Sequence, residues 1–131
     1  MAYSKFEKEY TVTEKMLAQN VGSGSLPVLA TPAVAAMFEN AAAKLAESYL
    51  TQGRTTVGTK INIDHTAPTP LGAKLTVKAE LTSQEGRLFH FHLTAEDESG
   101  LVASCDHERV SVNIEHFVEK ARSRKRIFHE S

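Results

Sequence analysis

Near residue 54 the hydrophobic period of this chain switches from that of a helix to that of a strand, and it keeps the new period to about residue 114. Before the switch lies VLATPAVAAMFENAAAKLA, residues 28–46, which is nearly all apolar. At a helical repeat Val34, Met37, Phe38, Ala41, Ala42, Leu45 and Tyr49 share one stripe. That spacing predicts a helix from Pro32 to about Leu50, closed by TQGR with Gly53 as the stop. After the switch, TTVGTKINID sets Val57, Ile61 and Ile63 against Gly58, Lys60, Asn62 and Asp64; His65 continues the apolar side, and APTP ends the strand. Residues 73–83 alternate with Leu75, Val77, Ala79 and Leu81 on one face. The turns QEGR and DESG then connect LFHFHLTAE and LVASCDHERVSVNI, which predicts an antiparallel meander.

The flanks complete the outline. SKFEKEYTV, residues 4–12, reads as an edge strand, and QNVGSGSLP as a flexible link. The tail, EHFVEKARSRKRIFHES, reads as a short helix followed by a basic end. One strand, a long apolar helix and four strands with tight turns describe an α+β layer, the helix lying across a curved antiparallel sheet. A single domain over residues 1–131 is long enough to bury such a core.

Charge and cysteine content narrow the function. A net charge of −1 argues against a basic nucleic-acid binder. The one cysteine, Cys105, rules out an internal disulfide and a cysteine metal cluster, and fits a reducing compartment. MAYSKFEKEY lacks the apolar core of a signal peptide, and no apolar run is long enough to span a bilayer. A soluble cytoplasmic protein, with neither nucleic acid nor membrane as partner, is therefore expected.

Three polar residues stand out against the apolar background, and each has an ordinary explanation. Thr31 precedes Pro32 and suits the N-cap of the helix, with the proline at the first helical position. The same helix start offers the N–H groups of Ala33 and Val34 to a developing oxyanion. Glu39 lies on a flank shared with Ala35 and Ala46, and a solvated carboxylate is the plain reading. So small and apolar a flank suggests that a second chain or layer packs nearby. His65 ends a strand on its apolar side, near a rim of the sheet, and serves equally as a bonded rim histidine or as a catalytic group. His90, His92 and a neighbouring His107 outline an incidental metal site, without acidic or cysteine ligands at suitable spacing.

Taken together, VLATPAVAAMFENAA, VGTKINIDHTAPTPLGAKLTVKAEL and EGRLFHFHLTAEDESGLVASCDHERVSV resemble the hotdog-fold thioesterases grouped with fluoroacetyl-CoA thioesterase. The resemblance runs from about Leu26 to Lys120. It implies a hotdog fold and hydrolysis of a small acyl-CoA by a threonine, a glutamate and a histidine, which fall on Thr31, Glu39 and His65. It also implies substrate-binding roles for Gly58 and Arg109. No metal or organic cofactor is implied, coenzyme A entering as part of the substrate. Members are homodimers with active sites at the subunit interface, with tetramers as an open extension. Burial of Glu39 in such a cleft would bring it toward the range useful to a general base. Thr31 would act as nucleophile or orient water, and His65 would carry a proton to the departing thiolate.

Spacing and local sequence qualify this picture. Thr31 and Glu39 lie about 12 Å apart along a helix, so His65, substrate, water or a second subunit must link them. GSGSLPVLATP has no aromatic residue where the fluoroacetyl-selective enzyme carries an aromatic lid, so a general short or medium acyl group is expected. The segment KARSRKR, residues 120–126, holds five of the fifteen Lys and Arg; it reads as a solvated tail, or as a partner for the phosphates of coenzyme A. A non-catalytic acyl-CoA or small-ligand binding module is the main alternative, separated from an enzyme by whether alanine at Thr31, Glu39 or His65 abolishes turnover. A hotdog dehydratase, which pairs histidine with aspartate, fits the residues less well.

Overall fold

The computed structural model describes residues 3–130, with side-chain surroundings through residue 124. In chain order it contains β1 (Lys5–Thr11), a 3-10 turn (Glu14–Met16), α1 (Ala18–Val21), α2 (Thr31–Glu47), β2 (Arg54–His65), β3 (Lys74–Glu85), β4 (Leu88–Asp97), β5 (Gly100–Asn113) and α3 (Ile114–Glu130). The five strands form one sheet in the order β1-β3-β4-β5-β2, every pair antiparallel. The expected meander is β3-β4-β5, and β1 and β2 are the two edges.

The core forms where the two periods meet. Val34, Met37, Phe38, Ala41, Ala42 and Leu45 of α2 are buried against Leu75, Val77 and Ala79 of β3, Phe89, Phe91, Leu93 and Ala95 of β4, and Ala103 and Cys105 of β5. Alternation of side chains places every one of these strand residues on the face toward α2. Tyr49 lies beyond the helix end but still packs edge-on against Phe89, with ring centroids 5.9 Å apart.

Four local expectations need correction. The helix ends at Glu47 with Ser48 as its C-cap, short of Leu50. At its start Ala30 holds the cap position and Thr31 is already helical, because the Ala30 carbonyl accepts from both Ala33 N and Val34 N, at 3.0 and 3.1 Å. In β2 the register slips between Gly58 and Lys60, making Thr59 the extra residue of a bulge. The slip reverses the alternation, so Thr56 is buried on the α2 side while Val57 turns to the other face, away from Ile61 and Ile63. The tail, expected as a short helix and a basic end, continues as one helix, α3, to Glu130. Among the described residues no helix is long and apolar enough to cross a membrane.

Candidate active site

Two clusters of polar side chains break the apolar inner surface. The first joins the start of α2 to the end of β2. Thr31 Oγ1 lies 2.8 Å from His65 Nδ1, so the hydroxyl expected to cap the helix is instead directed at the histidine. His65 Nε2 is buried without a hydrogen-bond partner among the described residues. Burial lowers the pKa of this ring, the backbone at Ala67 opposing in smaller measure, so the neutral imidazole is favoured. The Ala33 and Val34 N–H groups expected to face an oxyanion are spent on the Ala30 carbonyl, and Pro32 has none. Among the described residues that leaves the N–H of Thr31 itself as the unspent donor of the first turn.

The second cluster lies at the other end of β2, under the middle of α2. Glu39 reaches Arg109, with Oε2 3.5 Å from Nη1, directly over Gly58. A Cβ at Gly58 would stand 2.6 Å from Glu39 Oε2 and 3.2 Å from His107 Cε1, so only glycine admits the carboxylate here. Arg109 is 7% exposed, and its guanidinium is held by Thr56, Nε donating to Oγ1 at 2.8 Å and Nη2 to the carbonyl at 2.9 Å. Burial lowers the Arg109 pKa, with Glu39 offsetting the effect. The carboxylate of Glu39 is 46% exposed in the single chain, open to whatever packs against this edge.

The bulge gives the two clusters a common face. Gly58 and His65 are seven residues apart, an odd separation that would put them on opposite sides of a regular strand. The extra residue Thr59 restores the match, and both lie on the α2 side, opposite the buried Arg109 and Ala103 of β5. They remain roughly 20 Å apart along the strand at about 3.3 Å per residue. One chain therefore pairs Thr31 with His65, and Glu39 with Gly58 and Arg109, without joining the pairs.

His107 and Thr56 belong to the second cluster and were not expected there. Thr56 was hidden by the bulge, whereas His107, two residues before Arg109, carried a legible signal in its shared strand parity. His90 and His92 pair with Glu108 and Asp106 on the outer face, at 3.3 and 3.1 Å. His107 lies on the inner face, so the three histidines do not converge on a metal.

Comparison with known proteins gives the clusters a context. A model of the fluoroacetyl-CoA-specific thioesterase family matches residues 12–115. The fluoroacetyl-CoA thioesterase of Streptantibioticus cattleyicolor is 37% identical over 97 residues, covering 74% of this chain and 70% of that protein. A solved fluoroacetyl-CoA thioesterase variant in complex with acetyl-CoA is 30% identical, with a TM-score of 0.88 over 95% of this chain and 98% of that one. A hot-dog-like protein from Thermanaerovibrio acidaminovorans, 21% identical over 94% of this chain and 91% of its own, shares the fold at a TM-score of 0.84.

Proposed function

This chain belongs to the fluoroacetyl-CoA-specific thioesterase family and is a thioesterase of the hotdog fold, and from that premise we propose that it hydrolyses a small acyl-CoA at a site shared between two copies of itself. The observation that carries the reading is the division of polar groups along β2. This strand is an edge of the sheet, so its outer rim is free to pair with another strand. Antiparallel pairing of two copies of β2 about a two-fold axis at Asn62 brings the His65 end of one chain beside the Gly58 end of the other, since, with Thr59 set aside as the bulge, each residue lies three strand positions from that point. Opposite residues of an antiparallel pair share a face, so Thr31 and His65 of one copy then meet Glu39 and Arg109 of the second.

Such a site divides the reaction into two steps. His65 Nδ1, neutral and bonded to the Thr31 hydroxyl, accepts its proton as the oxygen attacks the thioester carbonyl. The carbon–sulfur bond breaks, and the proton passes from His65 to the departing thiolate, giving free coenzyme A and an acyl ester on Thr31. Water then attacks the ester as Glu39 of the second copy takes its proton. That proton returns to the Thr31 oxygen as the carbon–oxygen bond breaks, releasing the acid.

The substrate is a short or medium acyl group. Leu26 and Leu71 leave apolar side chains exposed on the two segments joined by the Val28–Pro70 bridge, the first leading into Thr31 and the second following His65. No aromatic side chain occurs between residues 21 and 31 to close over a fluoroacetyl group.

The test is thiol release from a panel of acyl-CoAs, followed with a thiol-reactive dye. Cys105 does not interfere, being buried with its thiol pushed up to about 12. Turnover by the wild type, reduced on the order of 100- to 10,000-fold in Thr31→Ala and His65→Ala, with acyl ester accumulating on Thr31 in Glu39→Gln, supports the reading. Release from no acyl-CoA, with binding intact, overturns it in favour of a binding module. Turnover in Thr31→Ala near the wild-type rate assigns that hydroxyl away from the chemistry.

A further inference from the structure

Building on the thioesterase reading, we propose that His107 is a positioning residue for the reaction, a neutral hydrogen-bond acceptor that aims the Arg109 guanidinium at Glu39. The geometry fixes its tautomer. His107 Nδ1 lies 2.7 Å from the Lys60 carbonyl, which only accepts, so Nδ1 carries the proton. Its Nε2 lies 3.1 Å from Arg109 Nη1, which only donates, so Nε2 presents its lone pair. Lys60 is the first residue after the bulge, and its carbonyl reaches the ring because the strand has slipped at that point.

This arrangement decides where Arg109 points. Thr56 holds Nε and Nη2 of the planar guanidinium, and His107 Nε2 holds the third nitrogen, Nη1, on the side where it meets Glu39 Oε2. The bond to His107 is the shorter, 3.1 against 3.5 Å, so the histidine sets the nitrogen to which the carboxylate turns. The ring is itself 2% exposed and tilted against Phe91, with centroids 6.3 Å apart, leaving it little room to rotate.

Protonation would turn the acceptor into a donor. A protonated Nε2 opposes the Arg109 N–H directly, so the contact survives only with neutral His107. Burial, and in lesser degree the Arg109 charge, lower the His107 pKa; the Lys60 carbonyl, Glu39 and Glu108 act the other way. The net direction is downward, which favours the neutral ring.

Two measurements test the assignment independently. Nitrogen-15 NMR of the imidazole rings reads the tautomer without substrate; Nδ1 protonated and Nε2 unprotonated at about pH 8 is the expected result, and a protonated Nε2 there overturns the proposal. Steady-state kinetics then compare His107→Phe with His107→Gln, which keeps an acceptor for Arg109. The expected loss in His107→Phe is in kcat, up to roughly 100-fold, with KM little changed, and His107→Gln restores most of the rate. Wild-type kcat in a folded His107→Phe overturns the proposal, as does a Gln variant no better than Phe. A wild type that releases no thiol defeats the thioesterase reading instead, and leaves the NMR result to judge His107.

Discussion

Gly58 shows how closely this site is built at the level of single atoms. Its backbone is unremarkable; what demands glycine is the 2.6 Å gap to Glu39 Oε2 from the position a Cβ would take. A methyl group there must push the carboxylate from Arg109 or displace His107. Gly58→Ala is therefore expected to lower kcat on the order of 100-fold, while overpacking costs about 1–3 kcal/mol of stability. Steady-state kinetics and urea unfolding on the same preparation check both parts. An alanine variant with unaltered kcat would show that Glu39 does not need its present place. Thr31 teaches a related point: threonine before proline is a good capping signal, yet the hydroxyl bonds to His65, thirty-four residues away, in preference to its own helix.

Most of the fold at the level of helices and strands was legible, and the reason is periodicity. The stripe from Val34 to Leu45 and the alternation in β3, β4 and β5 each determined which side chains meet in the core. Within the sheet, the misplaced residues sit where a strand departs from its repeat. Thr59 inserts one residue into β2 and reverses the parity behind Val57; nothing local in VGTKINID announces it. The same bulge concealed Thr56, the residue that clamps Arg109. Of the candidate site residues, Thr31 with His65, and Glu39 with Gly58 and Arg109, are brought together as pairs. The join between the pairs lies outside the reach of one chain, since helix length and strand length keep them apart. His107 was visible in the sequence beside Arg109, but its role depends on the Lys60 carbonyl, which only the bulge supplies.

At the level of the whole molecule, the two inner-face histidines tie stability to pH. Folding lowers the pKa of both His65 and His107, chiefly by burial. Below about pH 6.5 the unfolded chain takes up protons on these rings while the folded chain still resists them. Their contribution is thus complete above that value and is lost as the pH falls through the window down to the folded values. Thermal unfolding followed from about pH 8 to about pH 5 should show the midpoint falling on the acid side, and His107→Phe should flatten that fall. A variant with the wild-type slope would mean that His107 does not resist protonation.

If two chains complete one thioesterase site, mixing inactive variants restores activity. His65→Ala and Glu39→Gln, each inactive alone, are to be unfolded together, refolded as an equal mixture and assayed for thiol release from the best acyl-CoA. Random pairing makes half of the dimers mixed, and each mixed dimer has one site with both intact groups, so about a quarter of the wild-type activity is expected. A mixture no more active than its separate components would contradict it, placing His65 and Glu39 of every working site on the same chain.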